Sequence, residues 1–270
     1  MKKEFLTLAE IEAFDRDGYI VVENLLDAEE THLLGAIARR DHVLAASRTS
    51  RADGEGGSID LVVENELPAE SIYSAIVQGE PLVSAMEIFL GDEVYHYHHK
   101  MILKEPRVGG AWTWHQDYGY WYNNGCLFPD MASCMFAVDK ATRENGCLQV
   151  LRGSHRMGRI DHIKRGDQTG ADMERVTAAL ERLELVHVEM NPGSAVLFHG
   201  NTLHRSDQNL SENPRWAFIC CYNTRSNDPY KDGRHPHYSP LDRVAANEIL
   251  PIGHRHFQNL KNGSAMSQTE

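Results

Sequence analysis

The sequence has no long apolar run and no excess of positive charge. No stretch of about 18 apolar residues occurs, and Met1 to Phe5 lead into a polar segment without the apolar core of a signal peptide. We therefore expect a protein that is neither membrane-spanning nor secreted. Lys and Arg number 27 against 39 Asp and Glu, which gives a formal net charge of −12. Because phosphate backbones are bound chiefly by Lys and Arg, we expect no nucleic-acid partner.

Cysteine is also scarce, and no pair has the C-x-x-C spacing of a zinc or redox motif. An odd number of cysteines, several of them inside apolar runs, indicates neither a disulfide framework nor a thiolate zinc site. We interpret them as reduced core residues of a cytoplasmic protein. The five are Cys126, Cys134, Cys147, Cys220 and Cys221.

Helix signals dominate the first 93 residues. Thr7-Leu-Ala-Glu10 is a capping box and Gly18 a C-terminal stop, which together predict a first helix. Asp27 begins a second helix, and the apolar spacing after Pro68 predicts two more. Residues 47–60 lack periodicity and hold three glycines, so we expect a mobile surface loop, either a plain connector or a lid over a site.

Short extended runs separated by Gly, Pro, Asn and Asp begin at residue 94 and predict a β-rich region. Many short strands with frequent turns are typical of a sandwich or barrel, and a jelly roll fits this length. We expect one domain over residues 1–270: a mainly helical support over 1–93, a jelly-roll core over 94–225 and a C-terminal extension over 226–270. The predicted strands cover residues 94–104, 111–117, 132–139, 147–151, 185–190, 195–199 and 215–223.

One pattern among the fifteen histidines predicts a metal site. His115 and Asp117 are two residues apart, which on a strand puts the imidazole and the carboxylate on the same face. His204, after the apolar run 195–198, supplies a second imidazole. Two imidazoles and one carboxylate form the facial triad of non-haem Fe(II) oxygenases, which leaves coordination positions for a cosubstrate and O₂.

A carboxylate site is predicted close to this triad. Arg215 starts a predicted strand eleven residues after His204, and a hairpin between the two strands is expected to bring its guanidinium into the same cavity. The planar fork of an arginine can hold a carboxylate through two hydrogen bonds. Ser206 offers a hydroxyl to the same group. The pattern therefore implies a dicarboxylic cosubstrate.

Four motifs surround these residues: Trp114-His-Gln-Asp-Tyr-Gly-Tyr-Trp121, Ala141-Thr-Arg-Glu-Asn-Gly-Cys-Leu148, Arg152-Gly-Ser-His155 and Phe198-His-Gly-Asn-Thr-Leu-His-Arg-Ser206. They resemble the motifs of the phytanoyl-CoA dioxygenase family of Fe(II)/2-oxoglutarate oxygenases, over about Leu6 to Tyr222. The resemblance implies a double-stranded β-helix, which is a cupin-like jelly roll, with His115, Asp117 and His204 as Fe(II) ligands and Arg215 as a 2-oxoglutarate anchor. It implies hydroxylation of an unactivated C–H bond with O₂, with succinate and CO₂ as co-products. Asp117 favours hydroxylation over halogenation, because related halogenases carry Gly or Ala there.

The resemblance also points to the strand before the metal motif, where related hydroxylases use a Gln to hold 2-oxoglutarate. Our alignment places His98 at that position, and Lys100 and Lys104 have the same parity. If this face points inward, its polar groups must be paired with cosubstrate or substrate, because an isolated buried ammonium is costly, and His98 and Lys104 are the predicted cosubstrate contacts. The alternative is an outward, solvated face. Tyr118 and Trp121 are the predicted substrate contacts.

Two function classes remain open from the sequence. The first is a 2-oxoglutarate-dependent hydroxylase of a small metabolite. The second is a non-redox metal-binding cupin-like enzyme or ligand-binding protein. A cluster near the C-terminus, Arg234-His-Pro-His237, is expected to be an exposed basic turn, with adventitious metal binding or a fold over the cavity mouth as the alternatives.

Overall fold

The computed structural model describes residues 1–2, 4–53, 56–165 and 168–266. Within these ranges no helix is both long and apolar enough to cross a bilayer. The predicted capping box is present, since the Thr7 hydroxyl accepts from Glu10 N and the Glu10 carboxylate accepts from Thr7 N. The helices are α1 (Leu8–Asp17), α2 (Ala28–Ala38), α3 (His42–Ala46), α4 (Ile72–Val77), α5 (Glu80–Leu90), α6 (Asp117–Trp121), α7 (Met173–Leu180) and α8 (Ile249–Met266).

Thirteen strands of the described chain form two facing antiparallel sheets and a small ribbon. The major sheet has the order β1-β11-β6-β13-β4-β3-β2, the minor sheet β10-β7-β12-β5, and β8 pairs with β9. This arrangement confirms the expected all-β core with flanking helices. The strands are β1 (Tyr19–Val22), β2 (Thr49–Ala52), β3 (Ser58–Glu64), β4 (Val94–Lys104), β5 (Trp112–His115), β6 (Met131–Ala137), β7 (Leu148–Leu151), β8 (His162–Arg165), β9 (Gln168–Ala171), β10 (Leu185–Val188), β11 (Ala195–His199), β12 (His204–Ser206) and β13 (Arg215–Thr224).

The helices cover the outer face of the major sheet. Apolar side chains of α2 and α4, such as Leu34 and Ile76, share one buried cluster with Phe136 and Phe218 of the sheet. Helix α8 packs against α2 and α4. Because this layer excludes water from the outer face, the inner face is left to pack against the minor sheet and to form the cavity. The division into support, core and extension stays a prediction, and β1, β2 and β3 from the first 93 residues are strands of the major sheet.

The prediction of a mobile loop over residues 47–60 is wrong, because this segment is largely an edge hairpin. Strands β2 and β3 pair antiparallel there, and β3 continues the sheet to β4. All four residues of β2 are exposed. An edge strand that is solvated on both faces has no hydrophobic alternation, so its sequence resembles a loop. Residues 54 and 55, inside the predicted loop, lie outside the described residues.

A β-bulge in β4 determines which of its side chains enter the interior. Cys221 of β13 pairs with His98 and Tyr222 with His96, which leaves Tyr97 without a register partner. At a bulge two successive residues can face the same side. Tyr97 lies in the inner core, and so does Cys221, the partner of His98. From His98 onward the even-numbered residues therefore face the minor sheet.

The predicted inward face of β4 is therefore observed, and the alternative of an outward, solvated face is wrong. Lys104 is buried, and Lys100 lines the cavity between the sheets.

Candidate active site

Three buried side chains converge between the sheets. One ligand atom from each of His115, Asp117 and His204 lies within 4.8 Å of the other two. The two histidines are register partners on β5 and β12, and their ring centroids are 4.0 Å apart. His115 Nε2 is 3.9 Å from Asp117 Oδ1. Two imidazoles and a carboxylate at this spacing fit one divalent metal ion and leave part of its coordination shell open.

The route by which Asp117 reaches the cluster differs from the prediction. The strand predicted over residues 111–117 ends at His115, and Asp117 is the first residue of α6. The turn from strand to helix, and not strand alternation, carries the carboxylate to the imidazoles. The ligand set is brought together as expected although the local geometry is different.

Each imidazole is oriented by a backbone carbonyl two residues before it. His115 Nδ1 lies 2.8 Å from Thr113 O, and His204 Nδ1 lies 2.8 Å from Thr202 O. A carbonyl can only accept, so Nδ1 donates and the Nε2 lone pair is left for a metal. Burial lowers the pKa of both histidines, which keeps them in the neutral form that ligates metals.

Ser133 fixes the carboxylate of Asp117, and the sequence analysis missed it. The Ser133 hydroxyl in β6 donates to Asp117 Oδ2 at 3.0 Å. Asp117 Oδ1 is left to face the histidines and lies 3.9 Å from Lys100 Nζ. The available signal was a single hydroxyl within the fully buried run Met131–Ala137.

Gln116, between the two ligands of the motif, ties this turn to distant segments. Its amide donates to Gly158 O and Asn201 O, both at 2.8 Å, and its oxygen accepts from Ile160 N at 2.7 Å. The side chain is fully buried. The bond to Asn201 O holds the turn that carries His115 against the segment that precedes His204, and the other two bonds hold it against residues 158–160. No sequence pattern indicates this role for Gln116, because all three partners are backbone groups far along the chain.

Two buried cations define one end of the cavity region. Arg215 and Lys104 are register partners on β13 and β4, and Lys104 Nζ donates to Ser206 Oγ at 2.9 Å. Arg215 Nη2 donates to Gly146 O at 2.6 Å, whereas its buried Nε has no partner among the described residues. Burial lowers the pKa of Arg215 to about 10 and lowers that of Lys104 well below its usual value. Such a group of donors is suited to bind a carboxylate.

The expected hairpin between His204 and Arg215 is absent. Strand β12 belongs to the minor sheet and β13 to the major sheet, so the guanidinium enters from the facing sheet. The reason is that residues 207–214 cross between the sheets instead of forming a tight turn. The triad, Ser206 and Arg215 nevertheless line one cavity, whose remaining lining residues are Lys100, Ile102, Trp112, Met135, Leu148, Phe198, Arg205 and Ile219.

Tyr118 and Trp121 are not among the residues that line this cavity. The Tyr118 hydroxyl donates to Leu127 O at 2.5 Å. The Trp121 ring packs edge-on against Tyr97, at 5.5 Å between centroids, and against His98, at 5.9 Å. The Trp121 ring therefore forms a wall with Tyr97 beside the cavity lining, and Tyr118 belongs to the same buried cluster.

His98 also lies in this wall, where it stacks on His235. The two ring centroids are 4.7 Å apart with an interplanar angle of 26°. His98 Nδ1 has no hydrogen-bond partner among the described residues, and burial lowers the pKa of this histidine well below its usual value. His235 is buried, so the expectation of an exposed turn at Arg234-His-Pro-His237 is wrong for this residue. The C-terminal extension packs its imidazole against the inner strand.

Similarity to known proteins agrees with this geometry. A family model described as phytanoyl-CoA dioxygenase (PhyH) matches residues 14–217. The L-proline trans-4-hydroxylase of Streptomyces griseoviridis is 28% identical over 258 residues, covering 88% of this chain and 93% of that protein. The ectoine dioxygenase of Sphingopyxis alaskensis is 31% identical over 232 residues, covering 80% and 75%.

A solved structure extends the comparison to three dimensions. The crystal structure of EctD from S. alaskensis with 2-oxoglutarate and 5-hydroxyectoine has a TM-score of 0.76 to this chain at 25% identity, covering 91% of this chain and 90% of that one. The jelly-roll core is thus shared along almost the whole chain. The chain belongs to the phytanoyl-CoA dioxygenase family and is an Fe(II)- and 2-oxoglutarate-dependent dioxygenase of the hydroxylase type.

Proposed function

We propose that His115, Asp117 and His204 hold the Fe(II) of this hydroxylase. The observation that carries this assignment is the convergence of their ligand atoms within 4.8 Å, with both Nε2 atoms left free by the Nδ1 contacts. When bound, the iron supplies the activation of O₂, coupled to decarboxylation of 2-oxoglutarate. The protein keeps the ligands neutral or singly charged and buried, so that bulk water has little access to the reacting groups.

We also propose that Arg215, Lys104 and Ser206 bind the far carboxylate of 2-oxoglutarate. Lys104 and Arg215 come from adjacent strands of one sheet and Ser206 from the other, so the three surround one point between the sheets. The unpartnered Nε of Arg215 is available as a further donor. Two buried cations side by side repel each other, and a bound carboxylate relieves that repulsion. His98 lies in the wall beside the cavity, away from these cations, and is therefore not assigned a cosubstrate contact.

The primary substrate is proposed to be a small metabolite. The similar proteins named above are named for L-proline and ectoine, and the cavity near the triad is walled by Trp112 and Phe198. These two aromatics are better placed for substrate contact than Tyr118 and Trp121. We further infer a cytoplasmic location, because all five cysteines are buried and unpaired, as suits a reducing compartment.

An anaerobic binding experiment separates this function from the alternative of a non-redox metal-binding or ligand-binding protein. Protein loaded with Fe(II) and 2-oxoglutarate without O₂ is expected to develop a weak visible charge-transfer band. Asp117→Ala is expected to lose it, because one of three ligands is removed. Absence of the band from the iron-loaded natural sequence would exclude chelation of 2-oxoglutarate at this site and favour the non-redox alternative.

A further inference from the structure

Among the described residues, two charged side chains on the cavity lining take no part in the proposed iron and cosubstrate contacts, namely Lys100 and Arg205. Arg205 is paired with Asp207 at 2.7 Å. Lys100 lies on β4 opposite Ile219 of β13, and the exposed fraction of its side chain is 16%. The β4 bulge turns it inward, onto the same cavity as His115 and His204. An ammonium in such surroundings needs a counter-charge.

The carboxylate that faces Lys100 is also a proposed metal ligand. Among the described residues, Asp117 is the only carboxylate within 4 Å of Lys100 Nζ, at 3.9 Å from Oδ1. That oxygen is the one that faces His115 Nε2, on the side of the metal ligands. If the proposed function holds, Asp117 shares its charge with a dication when iron binds. The dication also repels the ammonium, so the loaded site leaves Lys100 with too little negative charge beside it.

The anion that completes the site is not expected to be the cosubstrate. The far carboxylate of 2-oxoglutarate is assigned to Lys104 and Arg215. Lys104 lies four residues from Lys100 on β4, which separates their backbones by about 13 Å along the strand. The near carboxylate of 2-oxoglutarate, like Asp117, shares its charge with the metal. On the other side of Lys100, away from Lys104, the strand continues to His98 and the aromatic wall. Those side chains do not line the cavity, so the space left for the primary substrate is the part of the cavity that Lys100 shares with Trp112 and Phe198.

We propose that Lys100 binds a carboxylate of the primary substrate, so that this enzyme acts on small carboxylic acids or amino acids. The proposal rests on the proposed function and names its substrate class. Because Lys100 Nζ lies 3.9 Å from a metal-ligand oxygen, the anchored carboxylate stays close to the metal ligands. The carbon that reacts is then only a few bonds from that carboxylate.

The test uses binding and not turnover. The anaerobic Fe(II) and 2-oxoglutarate complex is titrated with the common L-amino acids and ectoine, each beside its carboxamide, while the shift of the visible band is recorded. We expect at least one of the carboxylic acids to shift the band, and we expect its carboxamide to leave the band unchanged. Lys100→Gln is expected to weaken binding of that carboxylate about 10- to 100-fold, because a charge-assisted contact is lost. Lys140→Gln, which removes an exposed lysine, is the matched control and is expected to bind as the natural sequence does.

Three results would overturn the proposal. In the first, no carboxylate shifts the band, or a carboxamide shifts it equally. In the second, Lys100→Gln binds the carboxylate with unchanged affinity. In the third, Lys100→Gln weakens 2-oxoglutarate itself by tenfold or more, which would assign the lysine to the cosubstrate. All three presuppose a band in the natural sequence, so failure of the proposed function is recognised separately by its absence.

Discussion

Each proposed metal ligand is oriented by one neutral hydrogen-bonding group outside the ligand set. The carbonyls of Thr113 and Thr202 orient the imidazoles, and the hydroxyl of Ser133 orients the carboxylate. Such contacts fix the tautomer or rotamer before a metal arrives, so less entropy is lost on binding. Affinity for the metal therefore depends on residues that do not touch it.

Replacement of Ser133 by alanine tests this dependence. Ser133→Ala removes the hydrogen bond to Asp117 Oδ2, so the carboxylate can rotate and turn toward Lys100. We expect Fe(II) affinity to fall about tenfold or more, measured by anaerobic metal titration. Ser74→Ala is the matched control, because Ser74 is also buried but its hydroxyl has no hydrogen-bond partner in the described part of the chain. Equal Fe(II) affinity in Ser133→Ala and Ser74→Ala would contradict the role of Ser133.

Replacement of Arg215 tests the carboxylate site. Arg215→Ala is expected to raise the 2-oxoglutarate concentration needed for half-saturation about 10- to 100-fold, since charge-assisted hydrogen bonds are lost, while Fe(II) affinity stays unchanged. Arg143→Ala, at an exposed position, is expected to leave both values unchanged. If Arg215→Ala needs no more cosubstrate than the control does, another group holds the far carboxylate.

Residue chemistry explains which parts of the site could be predicted. Imidazole and carboxylate ligate metals in many folds, so the spacing of His115 and Asp117, with a later His204 and the support of Arg215, predicted the triad. A serine or a glutamine has no such specific chemistry. The contact from Ser133 exists only because β6 faces the start of α6, and Gln116 acts through backbone groups that the fold brings to it.

At the scale of elements, two irregular features position the cations. The bulge in β4 turns Lys100 and Lys104 inward, and the turn before β7 presents the carbonyl of Gly146 to Arg215. Gly146 has a φ of +75°, which favours glycine, and a Cβ there would lie 2.3 Å from Asp207 O and 2.9 Å from Lys104 Nζ. The turn and the two cations are thus packed as one unit.

Gly146→Ala is expected to disturb that unit in two ways. Stability is expected to fall by about 1–3 kcal/mol because of the positive φ and the clash. The 2-oxoglutarate requirement is expected to rise because Lys104 and Arg215 must shift. Gly153→Ala is the matched control: its φ of +77° is similar, but the nearest heavy atom to a Cβ is 3.9 Å away. Urea unfolding and cosubstrate titration check both variants. If Gly146→Ala loses stability but needs no more 2-oxoglutarate, the turn and the two cations are not packed as one unit.

The strand predictions were best where one face of a strand is buried and the other is covered by helices. Strands such as β6, β11 and β13 are mostly apolar and bounded by turns, which identifies them in the sequence. Strand β2 is exposed on both faces and was predicted as loop. The bulge at Tyr97 leaves no mark in the sequence, because it is fixed by the register of β13 against β4.

On the scale of the whole molecule, burial of neutral histidines links stability to pH. Burial is the largest cause that lowers the pKa of four histidines outside the proposed ligand set: to about 3 for His96 and to about 4 for His99, His199 and His235. In the unfolded chain these groups titrate near 6.5. Below that pH the unfolded chain binds more protons than the folded one, so their contribution to stability is full above 6.5 and is lost as the pH falls toward 4.

Urea unfolding at pH 7 and pH 5 tests this linkage. Each such histidine is expected to reduce the free energy of unfolding by about 1–2 kcal/mol between the two pH values. His99→Phe keeps a ring beside Tyr73 and Phe218 and is expected to reduce the pH-dependent loss by that amount. His32→Gln, at an exposed position, is expected to show the same pH-dependent loss as the natural sequence. An equal loss in all three proteins would contradict the assignment to His99.

The central claim is that His115, Asp117 and His204 bind one iron beside a carboxylate site built by Arg215 and Lys104. Its most direct test is a crystal structure of the protein loaded anaerobically with Fe(II) and 2-oxoglutarate. We predict iron bound to both Nε2 atoms and to Asp117 Oδ1, with the far carboxylate on the two cations. Iron at another position, or a cosubstrate carboxylate away from Arg215 and Lys104, would contradict the claim.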